Sequence, residues 1–128
     1  YDPVLIDPRA AFGSDAQFPG ETIIDAWPDD AMATLAPDAR TAVVTLTHDP
    51  KLDDPAIRGA LASPAFYLGC LGSPRTHTKR LDRLRGAGVG EASLARIHAP
   101  VGLDIGAKSP AEIAVSVMAQ ITHTLRRG

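Results

Sequence analysis

The chemistry of this chain concentrates in Gly72-Ser73-Pro74-Arg75-Thr76-His77, which follows the apolar run Phe66–Leu71. Phe66, Tyr67, Leu68, Cys70 and Leu71 read as a strand buried on both faces. Gly72 allows a sharp turn that a Cβ would resist. Ser73 is an N-cap type, and Pro74 then takes the first helical position, where a missing N–H is harmless. Arg75, Thr76 and His77 would surround the amides of that helix start, and Arg80 follows one turn later. Free amides, hydroxyls and a guanidinium at a helix N-terminus make an anion seat. Capping alone also accounts for Ser73 and Pro74, so the motif carries both readings.

Three further positions could do chemistry. Asp7 follows the short apolar strand Val4-Leu5-Ile6, with Arg9 beside it. An acid just past a strand of a doubly wound sheet can meet a ribose hydroxyl, or can simply cap a turn. His48-Asp49-Pro50 ends the β-branched run Thr41–Thr47, but the pair lacks the spaced further ligands of a metal site. Cys70 is the only cysteine and sits in an apolar run, where a small core residue is expected. An internal disulfide is excluded, which fits a reducing, cytoplasmic compartment.

The totals are those of one globular domain, residues 1–128: 45% hydrophobic and 22% charged. No apolar run has the length of a membrane-spanning helix, and no membrane association is expected. Net charge is −2 but lopsided. Residues 1–54 hold eleven acids against three bases, and residues 55–128 hold four against ten. The basic surplus gathers in Arg75, Lys79, Arg80, Arg83 and Arg85, so that helix should attract anions. The balance and the lack of a reading helix argue against nucleic acid.

The elements that must position these residues alternate. Strands are expected at Val4–Ile6, Glu21–Asp25, Thr41–Thr47 (central) and Phe66–Leu71. Helices are expected over 28–35, 54–61, 74–86 and 91–97. An irregular segment, His98–Gly106, includes Gly102 and Asp104. The capping box Ser109-Pro110-Ala111-Glu112 opens a last helix to Arg127. Ile113, Val117, Ile121 and Leu125, with Ala114 and Met118, form one apolar stripe read as core. The pattern predicts an α/β fold: a Rossmann-like parallel sheet with helices on both faces.

One part of that fold is missing. No strand and G-x-G-x-x-G turn precedes Val4, and the chain starts at Tyr1 without Met. Val4–Asp7 has the character of a second strand. In the order 3-2-1-4-5 the first strand is central, so a gap is expected down the sheet. The missing β-α unit would lie upstream in a longer protein or come from a partner chain, unless the sheet rearranges.

Leu5–Arg9, Trp27-Pro28-Asp29, Val44–Asp49, Leu71–His77 through Arg80, and Arg96–Gly106 together resemble the carboxy-terminal Rossmann-like domain of the XdhC/CoxI family. Pro74 stands where that family has Arg. The family serves xanthine dehydrogenase and carbon monoxide dehydrogenase as accessory proteins. The resemblance implies a maturation factor rather than a catalyst. Its cargo would be molybdenum cofactor (molybdopterin), a pterin with a phosphate, and its partner a xanthine dehydrogenase-type molybdoenzyme. It implies a cofactor site from Asp7, Arg9, Gly72, Ser73, Arg75, Thr76, His77, Arg80, Gly102 and Asp104. An NAD(P)-binding oxidoreductase domain is the alternative reading, and a homodimerisation module a third.

Overall fold

A computed structural model describes residues 4–6, 22–24, 27–47 and 49–127. Among these residues two parallel sheets are present. In the first, β1 (Val4–Ile6) pairs with β2 (Thr22–Ile24), Val4 opposite Thr22. In the second the order is β3 (Ala42–Thr45), β4 (Tyr67–Cys70), β5 (Ile97–His98). The registers align Ala42 with Tyr67 and Leu68 with Ile97. Among the described residues no strand bridges β1 and β3. The break falls where the expected order puts the first strand. β3 therefore has one described neighbour, and β4, not β3, has strands on both sides.

The two-residue period of a strand sorts the core onto two faces. On β4, Leu68 and Cys70 point one way, into a cluster with Met32, Ile57, Leu84 and Ile97. That face is covered by α1 (Pro28–Leu35), α2 (Pro50–Leu61) and α3 (Pro74–Gly86). Tyr67 points the other way, into a cluster with Val101 and Ile121, and α5 (Pro110–Arg127) covers it. Val43 joins the first cluster and Val44 the second. All four β4 residues are buried, as the apolar run predicted. Helices thus lie on both faces of a parallel sheet, a Rossmann-like arrangement.

Several boundaries differ from expectation. α2 begins at Pro50, because Asp49 Oδ1 accepts from Lys51 N at 3.0 Å and caps it; Pro55 lies inside the helix. The helix expected over 91–97 ends at Leu94 as α4 (Glu91–Leu94). Ile97 and His98 instead extend the sheet, since pairing with Leu68 and Gly69 buries Ile97 in the core. α3 keeps its expected limits, and Gly88, at φ +91°, follows its end. The α5 stripe is only partly core: Val117 and Ile121 pack, while Met118 is 43% exposed and Leu125 39%. No described helix is long and apolar enough to cross a membrane.

Candidate functional site at the carboxyl ends of β4 and β5

After β4, Leu71 N bonds Thr45 O at 2.9 Å and holds the strand end against β3. Gly72 then turns the chain at φ +138°, a conformation that favours glycine. Ser73 caps α3 as predicted. Its Oγ accepts from Thr76 N at 3.2 Å and lies 3.1 Å from Thr76 Oγ1, and its carbonyl accepts from His77 N. Pro74 has no N–H. Of the first-turn amides, Arg75 N alone lacks a partner among the described residues, so the anion seat is narrower than the motif suggested.

Arg80 departs furthest from expectation. It is the cation of α3 that turns inward, and it is 3% exposed. Nη2 donates to Leu71 O at 2.9 Å, and Nη1 lies 3.2 Å from His77 Nδ1. Nε is buried without a partner. The guanidinium is thus a strut beneath the Gly72 turn. His77 Nδ1 accepts from it, which leaves the ring proton on Nε2. Burial first, and the Arg80 charge second, hold the His77 pKa below its ordinary value. His77 is therefore a neutral, half-buried donor at pH 7. The basic face is also partly neutralised: Arg83 pairs with Asp54 at 2.8 Å and Arg85 with Glu91 at 2.6 Å. Arg75 is exposed and keeps no ion-pair partner among the described residues.

A second polar group lies under the same strand ends. Asp53 is 5% exposed and accepts from Thr47 Oγ1 at 2.7 Å. Burial outweighs Thr47 and the Arg80 charge and raises its pKa above 3.8. A carboxyl whose folded pKa is raised contributes stability that is complete below the unfolded value and lost as pH rises through the folded one. Asp53→Asn should therefore melt higher than the parent at pH 7, with the gap closing as pH falls below 4. The Asn carbonyl still accepts from Thr47. Thermal melts across pH check this; a gap that is the same at pH 3 and pH 7 contradicts it.

The loop after β5 builds the opposite wall. Val101 N bonds Cys70 O at 3.1 Å, and Gly102 follows at φ +98°. Gly102 is clamped: its N–H donates to Gln120 Oε1 at 2.9 Å, and its carbonyl accepts from Gln120 Nε2 at 3.2 Å. Tyr67 Oη donates to the same Gln120 oxygen at 2.6 Å. Burial pushes the Tyr67 pKa up to about 12, so it remains a donor. Leu103 N bonds Ser116 O at 3.0 Å. This fixed backbone delivers Asp104, exposed, to the lining of a groove of about 640 Å³. Gly72, Gly102 and Asp104 line it, with apolar walls from Val101, Ile105 and Ile113.

The structure therefore brings Gly72, Gly102 and Asp104 together on one groove. Ser73, Arg75, Thr76 and His77 lie on the adjoining helix start, and Arg80 lies beneath it. Asp7, Arg9 and His48 fall outside the described residues. Sequence reasoning missed Asp53, Tyr67, Ser116 and Gln120. Only the Gln120–Gly102 and Tyr67–Gln120 contacts would have exposed Tyr67 and Gln120, and these span 18 and 53 residues.

Comparison with known proteins agrees with this architecture. The family model for the XdhC Rossmann domain matches residues 1–121. The molybdenum cofactor insertion chaperone PaoD of Escherichia coli is 39% identical over 99 residues, 77% of this chain and 30% of that protein. A probable xanthine dehydrogenase subunit from Bacillus subtilis is 33% identical over 128 residues, 99% of this chain and 37% of that one. A crystal structure described as a xanthine dehydrogenase from Bacillus halodurans superposes with a TM-score of 0.81 at 29% identity. It covers 100% of this chain and 37% of its own. The chain thus spans about a third of the length of these relatives. It belongs to the XdhC family, as that family's Rossmann domain.

Proposed function

We propose that this chain is part of an accessory factor that binds molybdenum cofactor and passes it to a xanthine dehydrogenase-type hydroxylase in the cytoplasm. The single observation that carries this reading is the groove at the β4 and β5 ends. Its lining combines apolar walls, the two glycines Gly72 and Gly102, and one exposed carboxylate, Asp104. Ligands bind at the carboxyl ends of strands in open α/β sheets. The groove suits a flat ring with a polar edge. Asp104 would accept from adjacent N–H donors on the pyrimidinone edge of a pterin. Arg75 and the amide of its own residue would meet the phosphate, with the His77 Nε2–H alongside. The named function of PaoD supports the cargo, and the names of the relatives support the client. The lone buried Cys70, with its pKa raised by burial, supports a reducing compartment. The nicotinamide alternative draws on Asp7 and on the fold, and no described side chain favours it.

A fluorescence titration tests the site. The full chain should bind 2-amino-4-oxopteridine more tightly than lumazine, which carries a carbonyl in place of the 2-amino group. A hydrogen bond to a charged acceptor contributes about 1.5–3 kcal/mol, or roughly ten- to hundredfold in affinity. Asp104→Asn should remove most of that discrimination. Absence of saturable binding of either compound would overturn the reading.

A further inference from the structure

The core face of α5 carries two polar residues one turn apart, Ser116 and Gln120, beside Val117 and Ile121, which pack against Tyr67 of the sheet. Both polar residues meet the loop after β5. The Ser116 carbonyl accepts from Leu103 N at 3.0 Å. Gln120 bonds both polar groups of Gly102: Oε1 accepts from its N–H at 2.9 Å, and Nε2 donates to its carbonyl at 3.2 Å. The peptide plane between Gly102 and Leu103 is therefore held at its oxygen and at its nitrogen. Asp104 follows Leu103 directly.

A half-buried amide on a core face is costly unless its groups are paired. Gln120 is paired at both ends. The Gly102 N–H sets which end carries the oxygen, and Tyr67 Oη, donating at 2.6 Å, tethers that oxygen to β4. An apolar side chain holds a loop in place, as Val101 does nearby. Two directional bonds to one residue also fix how its peptide is turned. From Asp104 to Ala107 the loop makes, among the described residues, one backbone hydrogen bond, Ile105 N to Leu103 O. The direction in which the chain presents Asp104 is thus set from the Gly102 side.

We infer that Gln120 is a positioning residue for the groove: it orients the Gly102–Leu103 peptide and so aims the Asp104 carboxylate at the N–H edge of the occupant, a role that rests on the pterin-binding reading above. The readout is the ratio of the full chain's affinities for 2-amino-4-oxopteridine and lumazine, from fluorescence titrations. A variant that merely loses folded protein weakens both compounds alike, so the ratio follows positioning and not stability. Gln120→Met keeps the side-chain length and loses every bond; it should lower the ratio roughly fivefold or more, a coupling usual within one hydrogen-bonded network. Gln120→Asn keeps an amide one methylene too short to reach Gly102. It should lower the ratio too, and it carries the test where Gln120→Met does not fold. Because Gln120 acts through Asp104, adding Gln120→Met to Asp104→Asn should change the ratio by about twofold at most. A parent that discriminates, beside Gln120 variants that discriminate equally, overturns the positioning role and leaves the pterin reading intact. A large further loss in the Asp104→Asn background also overturns it. A parent that binds neither compound overturns both.

Discussion

Gly102→Ala should unfold this chain more easily by ~3 kcal/mol, combining a strained backbone with an overpacked contact. The residue sits at φ +98°, where any Cβ is strained. An added Cβ would overlap Ser116 Oγ and lie 3.1 Å from Ser116 Cβ and 3.2 Å from the Ser116 backbone carbon. The hydroxyl can rotate, but the backbone of α5 cannot yield. Relief would mean lifting the loop off the helix. That breaks the Leu103 N to Ser116 O bond and both Gln120 bonds to Gly102. Gly106 supplies the control. It lies at φ +75° with open space where its Cβ would go. Gly106→Ala therefore isolates the backbone strain, ~1–2 kcal/mol. Denaturant melts of the two variants measure the difference; equal losses would show that the contact with Ser116 is irrelevant.

The same loop shows which parts of the site the sequence can reveal. Ser73 and Pro74 act on amides one to four residues away, so their types alone announced the start of α3. The β4 run was legible because burial on both faces leaves an unbroken apolar stretch. β5 was hidden because two residues carry no period, and only Leu68 and Gly69 define it as a strand. The α5 stripe misled for a related reason. A row at i, i+4 advances about 40° around the helix at each step, so Val117 and Ile121 face the sheet while Ile113 and Leu125, at the ends of the same row, turn out to 36% and 39% exposure. The groove itself depends on Gly102 meeting Gln120, a contact made by topology rather than by local chemistry.

Arg80→Met should destabilise the chain by ~2–4 kcal/mol, in line with losses that leave buried polar groups unpaired, whereas Arg75→Ala should stay within about 0.5 kcal/mol. Sequence spacing made the two arginines equivalent members of one cationic face; burial separates them. Arg75 is exposed and makes no side-chain hydrogen bond or ion pair among the described residues. Arg80 donates to the Leu71 carbonyl at the end of β4, and its charge offsets part of the burial penalty on Asp53. Methionine keeps the volume and apolar stem, so the loss reports the guanidinium rather than a cavity. The His77 ring supplies a second readout. Removing Arg80 deletes a nearby positive charge, so the His77 pKa should rise towards 6.5, while burial still holds it below that value. NMR titration of the ring follows this directly, and Arg75→Ala should leave the curve in place. Affinity for an anion should respond in the opposite order. Arg75→Ala should weaken phosphate binding while the fold is intact, because its guanidinium is free to meet a ligand. Arg80→Lys, which keeps a cation but loses the fork, should lower stability and still shift His77 little. If Arg75→Ala and Arg80→Met destabilised the chain equally, the strut beneath the Gly72 turn would have no energetic basis.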